Sequence, residues 1–571
     1  MSESLANKIA AGEVVERIAN VVKELVENSL DAEAKNIEVK LVDAGMRLIK
    51  VTDDGNGMDE HDAEQAFLRH ATSKIFNNED LFYIASLGFR GEALPSIASV
   101  SKVTLITSDG KVGTKIEMHG GKLITKEKSP SSQGTIIEVA DLFYNTPARL
   151  KYLKSEQTEL ANISMYMEKL ALAYPEVAFT LINNDKTIIK TSGSNNLLKT
   201  IHEVYGLSTS KAMLEVKGTS DDYELAGFIS MPSLLKTNRN YLTTIVNGRS
   251  IRNNEINRII NDAYHTYKPE GKYPLVVLHI TTDPALIDVN IHPTKQDIKF
   301  SKIDVLEDLI FTSIKDALNG HLLIPSVEVK TKNNDHEISI LKEYSFSDNS
   351  RLKDETLFTE MQQIGFSFND ERKTKIKELA LYPCGLVMGT YIVAQNDEGM
   401  YLIDQHAAAE RINYEKVLKA LASEERMATG LLVPITLELS ASDYLLLKEH
   451  LTILTDLGFN LLEFGINTFL VNTHPTWLIT GYEEESVRKI IDLVISLPKN
   501  FDKLKFNDSI AAALACKLSV KANTNLTTEE MENILNVLVK CDNPYNCPHG
   551  RPTIITFTKY ELEKMFKRVM S

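Results

Sequence analysis

The chain has 571 residues, 43% of them hydrophobic and 25% charged, with a formal net charge of -15. That length exceeds what one hydrophobic core organises and points to about three or four domains. The acidic balance argues against a dedicated sequence-reading DNA binder. It leaves room for a local basic groove making weak, salt-sensitive contact with double-stranded DNA.

No run approaches the roughly 18 apolar residues of a membrane-spanning helix. Residues 1–15 lack the basic and apolar segments of a secretory signal. The four cysteines, Cys384, Cys516, Cys541 and Cys547, all lie in the last third of the chain. That clustering reads as metal chemistry or buried thiols before it reads as disulfides. A soluble, multidomain, intracellular protein with no membrane association is expected.

In chain order, Ile9, Val14, Val15, Ile18, Val22, Leu25 and Val26 keep an apolar stripe that predicts a helix over residues 5–30. Residues 37–41 alternate as a strand. Residues 48–52 form a second, ending in the turn Asp53-Asp54-Gly55-Asn56-Gly57. Strand-like runs recur at 103–107, 114–119 and 134–139, so the first domain, residues 1–205, is α+β rather than doubly wound. A second strand-rich domain, 206–325, has strands near 223, 241–247, 275–281 and 288–290 and helices near 254–267 and 305–319. Residues 326–381 are polar and charged, the signature of a flexible linker. A third region, 382–571, opens with a hairpin around Asp397-Glu398-Gly399 and a helix over 406–421. Residues 434–505 form a separate small subdomain inserted in it.

The first chemistry lies near the N-terminus. There is no G-x-x-x-x-G-K-S/T loop, which excludes a P-loop ATPase. On the helix Lys23-Glu24-Leu25-Val26-Glu27-Asn28, Glu24 and Asn28 are four apart and share a face. A carboxylate there can activate a water, and an amide oxygen can ligate Mg2+ without adding negative charge beside phosphates. Asp53 can accept a hydrogen bond from an exocyclic amine, while Gly55 and Gly57 let backbone approach a flat base. Thr72-Ser73-Lys74 and Gly88-Phe89-Arg90-Gly91-Glu92-Ala93-Leu94 follow, a glycine-flanked turn entering a helix, which suits phosphates. Gly134-Thr135 can close the floor of the base pocket, and Lys295 can reach a γ-phosphate as a point charge. Taken singly, each is an ordinary helix face, turn or surface lysine; their order and density point to an ATP site.

Residues 9–17, 23–32, 69–74, 88–94 and 141–149, with Asn247-Gly248-Arg249 and Val289-Asn290-Ile291-His292-Pro293-Thr294-Lys295, resemble the MutL family of DNA mismatch-repair proteins over essentially the whole chain. The resemblance implies a gyrase/chaperone/kinase-type ATPase sandwich, a ribosomal-protein-S5-like domain, a linker and a C-terminal dimerisation and endonuclease domain. Glu24 would be the general base, Asn28 the Mg2+ ligand, Asp53 the adenine reader, residues 72–94 the lid and Lys295 the γ-phosphate contact. Arg249 and Arg252 would lie in a DNA-contacting groove or stand as solvated surface arginines. Ile18 replaces a proline usual in the family. The family also carries a strand and part of a dimerisation arm before the equivalent of Leu5, which leaves full N-terminal dimerisation open here.

The second chemistry lies at the other end. His406 and Glu410 are one helical turn apart and can converge on a metal, with Asp404 adding an oxygen at the strand-to-helix junction. Cys516, Cys547 and His549 supply thiolate and imidazole. This mixed set suits Zn2+, with carboxylates left to hold Mn2+ or Mg2+ for phosphodiester cleavage. Residue by residue the bland reading is a helix cap, a satisfied histidine and a structural cysteine. Together, Asp404, Glu410 and Glu415, Ala515-Cys516-Lys517, residues 547–552 and Phe566-Lys567-Arg568 resemble the endonuclease site of nicking MutL proteins.

The resemblance therefore implies an ATP-switched mismatch-repair endonuclease working with MutS. It would be a homodimer through its C-terminal domain, with ATP-driven N-terminal dimerisation, in the cytoplasm and at the nucleoid during repair. The alternative is an ATP-dependent matchmaker without significant nuclease activity. A chaperone- or kinase-like ATPase would leave the C-terminal motifs unexplained. Thr429 stands where the family's sliding-clamp motif before Leu432-Val433-Pro434 has glutamine, so weakened clamp binding is expected.

Overall fold

The computed structural model describes residues 15–69, 71, 87–88, 91–269, 271–288, 298–322, 380–423, 427–478, 481–498, 501–518, 526–566 and 568. The expected linker, 326–381, lies almost wholly outside them, as do residues 5–14 of the expected first helix. The chain divides into two compact units, Met1–His321 with Val417–Leu514, and Leu322–Lys416 with Ala515–Ser571.

The first described helix, α1 (Ile18–Asp31), buries Ile18, Val21, Val22, Leu25 and Val26. It stands beside an eight-stranded sheet built from β1 (Asn36–Val42), β2 (Leu48–Asp53), β3 (Lys102–Ser108), β4 (Gly113–His119), β5 (Lys122–Ser129), β6 (Gly134–Ala140), β7 (Ala178–Asn183) and β8 (Lys186–Lys190). The strand order is β5-β4-β3-β6-β2-β1-β7-β8, with β1 antiparallel to β2 and parallel to β7. Ile37, Val39 and Leu41 alternate inward along β1, which is why that strand was legible from its period. Helices α2 (Ala93–Val100) and α3 (Glu156–Ala173) complete the helical layer, α3 packing on α1 and β7.

The second domain is a five-stranded sheet of β9 (Met213–Thr219), β10 (Tyr223–Ser230), β11 (Leu242–Val246), β12 (Arg249–Ile251) and β13 (Val276–Thr282), in the order β12-β11-β13-β10-β9. Asn247 and Gly248 join β11 to β12 with φ of 46° and 80°, the left-handed pair that a two-residue hairpin turn needs. Helices α4 (Asn254–Ala263) and α5 (Ile303–Leu322) cover the sheet over a core that includes Tyr223, Ile260, Tyr264, Leu278 and Ile310.

In the second unit, β14 (Tyr382–Val387), β15 (Tyr391–Asn396) and β16 (Gly399–Asp404) lead into α6 (Gln405–Ala422). The inserted subdomain follows: β17 (Ala428–Glu438), α7 (Ala441–Glu449), β18 (Asn460–Glu463), β19 (Thr468–Pro475) and α8 (Glu483–Ile495), with sheet order β17-β19-β18. Its first strand begins at Ala428, ahead of the expected start at Pro434. The proline is accommodated in an irregularity between Gly430 and Ile435, where it owes the ladder no N–H. Contacts group this subdomain with the first unit. The chain then returns to the second unit through α9 (Thr528–Leu538) and β20 (Ile554–Thr558), giving a sheet ordered β14-β15-β16-β20. The mixed α/β, multidomain class expected from the sequence holds throughout.

Candidate nucleotide site and metal centre

Helix α1 presents Glu24 and Asn28, both half-buried, one turn apart. Asp53, at the end of β2, is tied to the same helix: its Oδ2 accepts the Ser29 hydroxyl at 2.7 Å and its Oδ1 accepts the Gly55 N–H at 3.0 Å. Burial raises the Asp53 carboxyl above the usual range, and the Ser29 hydroxyl is the leading opposing influence. Gly57 has φ +67°, and a Cβ there would lie 1.9 Å from the Ser108 carbonyl oxygen, so only glycine fits. Thr135 sits opposite Asp53 in the β2–β6 ladder, its Oγ1 3.0 Å from that of Thr107. Thr107 Oγ1 in turn accepts the Met58 N–H at 3.0 Å. These contacts make one polar floor beneath the turn.

Within the stretch expected to form the lid, the backbone is held by a residue that no motif singled out. Asp31 accepts the N–H groups of Leu87 and Gly88 at 2.8 and 2.9 Å. Gly91 has φ +59°, and a Cβ there would meet the Ala71 carbonyl oxygen at 2.4 Å. Glu92 then takes the N-cap position of α2 without a side-chain capping hydrogen bond, and the helix begins with Ala93 and Leu94. Thr72, Ser73, Lys74, Phe89, Arg90 and Lys295 lie outside the described residues.

Arg249 corrects one expectation. It is 7% exposed, with the acidic side chains of Glu27 and Asp31 and the Tyr174 phenol as the influences that sustain its charge against burial. A side chain so covered is not a solvated surface arginine. Arg252, three residues on, is exposed.

At the other end, Asp404 closes β16 and caps α6, its Oδ1 accepting the N–H groups of His406 and Ala407 at 2.9 and 3.0 Å. His406 Nε2 lies 3.4 Å from Glu410 Oε1, and His549 Nδ1 lies 3.3 Å from Glu410 Oε2. Glu410, Cys547 and His549 offer ligand atoms all within 4.8 Å of one another. This carboxylate, thiol and imidazole set matches what Zn2+ takes. Burial, with the neighbouring Glu410 adding to it, pushes the Cys547 thiol up. Glu415 serves the scaffold instead, accepting the N–H groups of Asp542 and Asn543 at 2.8 and 3.1 Å. The Cys516 side chain lies outside the described residues.

Residues 16–143 match the family model of histidine kinase-, DNA gyrase B- and HSP90-like ATPases. Residues 201–319 match the DNA mismatch repair protein, C-terminal domain, and 384–526 the MutL C terminal dimerisation domain. The DNA mismatch repair protein MutL of Listeria monocytogenes serovar 1/2a is 43% identical over 595 residues, spanning 100% of this chain and 99% of that one. This chain belongs to the MutL family. MutL of Listeria innocua is 44% identical over 597 residues, and that of Shouchella clausii 41% over 649, each again spanning 100% of this chain and 99% of the relative. Among solved structures, the Aquifex aeolicus MutL ATPase domain complexed with ADP is 28% identical, with a TM-score of 0.38, covering 52% of this chain and 98% of that one. The N-terminal domain of a DNA repair protein is 26% identical, with a TM-score of 0.49, covering 56% and 98%. The chain is thus a mismatch-repair protein of the MutL family with an ATPase domain. Among the described residues no helix is long and apolar enough to cross a membrane.

Proposed function

We propose that ATP binding and hydrolysis at the N-terminal site control when a metal-dependent endonuclease at the C-terminal site nicks DNA, downstream of mismatch recognition by MutS. The observation that carries the nuclease half is the convergence of Glu410, Cys547 and His549 beside the Asp404-capped start of α6. Asp404, His406, Glu410, Cys547 and His549, with Cys516, would hold Zn2+ and/or Mn2+, and the bound metal supplies Lewis-acid chemistry to a phosphodiester. Asp404 and His406 are oriented by the cap and by Glu410, so little ordering is left for binding to impose.

At the ATP site, Glu24 acts as general base and Asn28 as Mg2+ ligand. Asp53 with Thr135 and Gly57 reads adenine. Residues 72–74 and 88–94 close over the phosphates, and Lys295 contacts the γ-phosphate. The anchoring of Leu87 and Gly88 on Asp31 supports this lid assignment. Two copies join through the C-terminal domain, as the name of its matching family model suggests, and ATP brings the N-terminal domains together. Double-stranded DNA binds weakly and with strong salt dependence. Leu432 and Val433 are fully and largely exposed, available to a sliding clamp despite Thr429.

Nicking of supercoiled plasmid with Mn2+, by wild type and Asp404→Asn, tests the reading. Nicking lost in the variant is expected. Equal nicking by both would remove the assigned site, and no nicking by wild type under any divalent metal would favour the matchmaker. Glu24→Ala is expected to bind ATP but not hydrolyse it, and normal hydrolysis would overturn its role as base.

A further inference from the structure

The inserted subdomain is joined to the first unit by a set of polar contacts that no motif announces. Glu168 on α3, 4% exposed, accepts both the backbone N–H and the hydroxyl of Ser442 at the start of α7, at 2.8 and 2.9 Å. The Tyr241 hydroxyl, from the second domain, donates to the buried carboxylate of Asp443. Lys236 Nζ lies 3.4 Å from Asp492 Oδ1 on α8. Thr237 Oγ1 lies 2.7 Å from Ser496 Oγ and donates to the Asp492 carbonyl at 3.2 Å. Glu438 accepts the N–H of Leu207, at the start of the second domain, at 2.8 Å, and on the ATPase side Asn467 donates to the Ile188 carbonyl at 2.8 Å.

Two features of this surface point to a built interface. Each buried carboxyl group meets a donor from the opposite side, as burial of a polar group demands. The contacts also fall on both neighbouring domains: Glu168 and Ile188 on the ATPase side, Leu207, Lys236, Thr237 and Tyr241 on the other. Helix α3 continues the connection inward, because the Tyr166 hydroxyl donates to Glu27 Oε1 at 2.9 Å, on the same helix as Glu24 and Asn28.

We infer that the inserted subdomain is the intrachain partner of this surface, seated through α7 and α8 across the junction between the ATPase domain and the second domain and holding the two at a fixed angle. The effect on turnover rests on the proposed role of Lys295: a second domain held still delivers that lysine to the nucleotide less readily. The seated state is therefore a low-turnover state, and release of α7 and α8 frees hydrolysis.

The test uses the full chain carrying Thr237→Cys and Ser496→Cys, mildly oxidised, with linked peptides identified by mass spectrometry. An intrachain disulfide between positions 237 and 496 is expected, and an equal mixture of the two single variants should give no link between chains. Steady-state ATP hydrolysis should fall about fivefold or more on linking and recover on reduction. In the same background Lys236→Glu or Asp492→Lys should each cut the yield of link, and the two together should restore it. Absence of the link, a link formed only between chains, or no rescue by the charge swap would overturn the docking. Unchanged hydrolysis in the linked form would overturn its control of turnover. A wild type that hydrolyses no ATP at all would instead defeat the ATPase reading, while the link and the charge swap would still decide the docking.

Discussion

The Asp31 carboxylate accepts the backbone N–H of Gly88 at 2.9 Å, with its other oxygen on Leu87 at 2.8 Å. The helix that carries Glu24 and Asn28 therefore ends in an anchor for the segment proposed as the lid, so the groups proposed for water activation and for phosphate closure are tied to one helix. Hydrogen bonds to a charged acceptor are each worth about 1.5–3 kcal/mol. Asp31→Ala is expected to weaken binding of a non-hydrolysable ATP analogue by about tenfold or more, and Asp31→Asn by less, since one acceptor oxygen remains. Calorimetric titration reads both. Wild-type affinity in Asp31→Ala would show that the lid closes without this anchor.

Ser29 and Asp53 make a second testable pair. Burial raises the folded-state pKa of Asp53, so its carboxylate form is lost as pH falls through that raised value. The Ser29 hydroxyl opposes the shift by bonding the carboxylate at 2.7 Å. Nucleotide affinity is expected to fall on acidification, and Ser29→Ala to move that fall to higher pH. Titrations carried from neutral pH down to the ordinary carboxylate range would show it, because the nucleotide's own titration is common to both proteins. Superimposable profiles would mean that Asp53 does not titrate in the bound range.

What the sequence made legible was local and periodic. Strands β1, β2, β3, β4 and β6 alternate cleanly and so declare themselves, and the turn at residues 53–57 carries Gly57, whose necessity the Ser108 contact explains. Strand β5 is exposed along most of its length and has no period to read. Helix α3 is covered on several sides, with Leu160, Ile163, Met167, Leu170 and Leu172 all buried, and so lacks a single apolar stripe. The site followed the same rule. Glu24, Asn28 and Asp53 sit in recognisable spacings, whereas Asp31, Tyr166 and Glu168 act through partners 56, 139 and 274 residues away, which no local pattern encodes. Arg249 shows the reverse error: an arginine beside a hairpin turn reads as surface, and only the fold places it against Glu27 and Asp31.

The proposed metal centre predicts composition as well as activity. Protein purified without chelator is expected to carry about one zinc ion per chain, with Cys547→Ser or His549→Ala retaining much less. Elemental analysis by mass spectrometry measures it directly. Equal zinc in wild type and both variants would place the metal elsewhere. Removal of metal by EDTA is expected to abolish nicking while leaving the thermal transition of the ATPase unit in place.

Glu168 gives the docked subdomain a pH dependence whose sign is fixed. Burial beneath Ser442, aided by the nearby Asp443 carboxylate, pushes its carboxyl up from 4.5 to about 8. With α7 undocked, the side chain faces water and its pKa returns toward the usual value, so docking takes up a proton between those two values. Docking is therefore fully favoured below the lower value, and weakens by up to tenfold per unit as pH rises toward the upper, where the loss levels off. Other groups at the contact are Asp443, Tyr205, Tyr241, Lys236 and Asp492. Lys169, held at about 8 by burial and by Arg252, titrates in the same region. Glu168→Gln separates these contributions, because a neutral amide still accepts from Ser442 and does not titrate. Hydrogen exchange over residues 441–449, corrected for the intrinsic pH dependence of amide exchange, is expected to lose protection in wild type between about pH 6 and 8.5. The same segment in Glu168→Gln should hold its protection across that range. An equal loss in both proteins would assign the pH dependence to Lys169 or Asp443 and take Glu168 out of the switch.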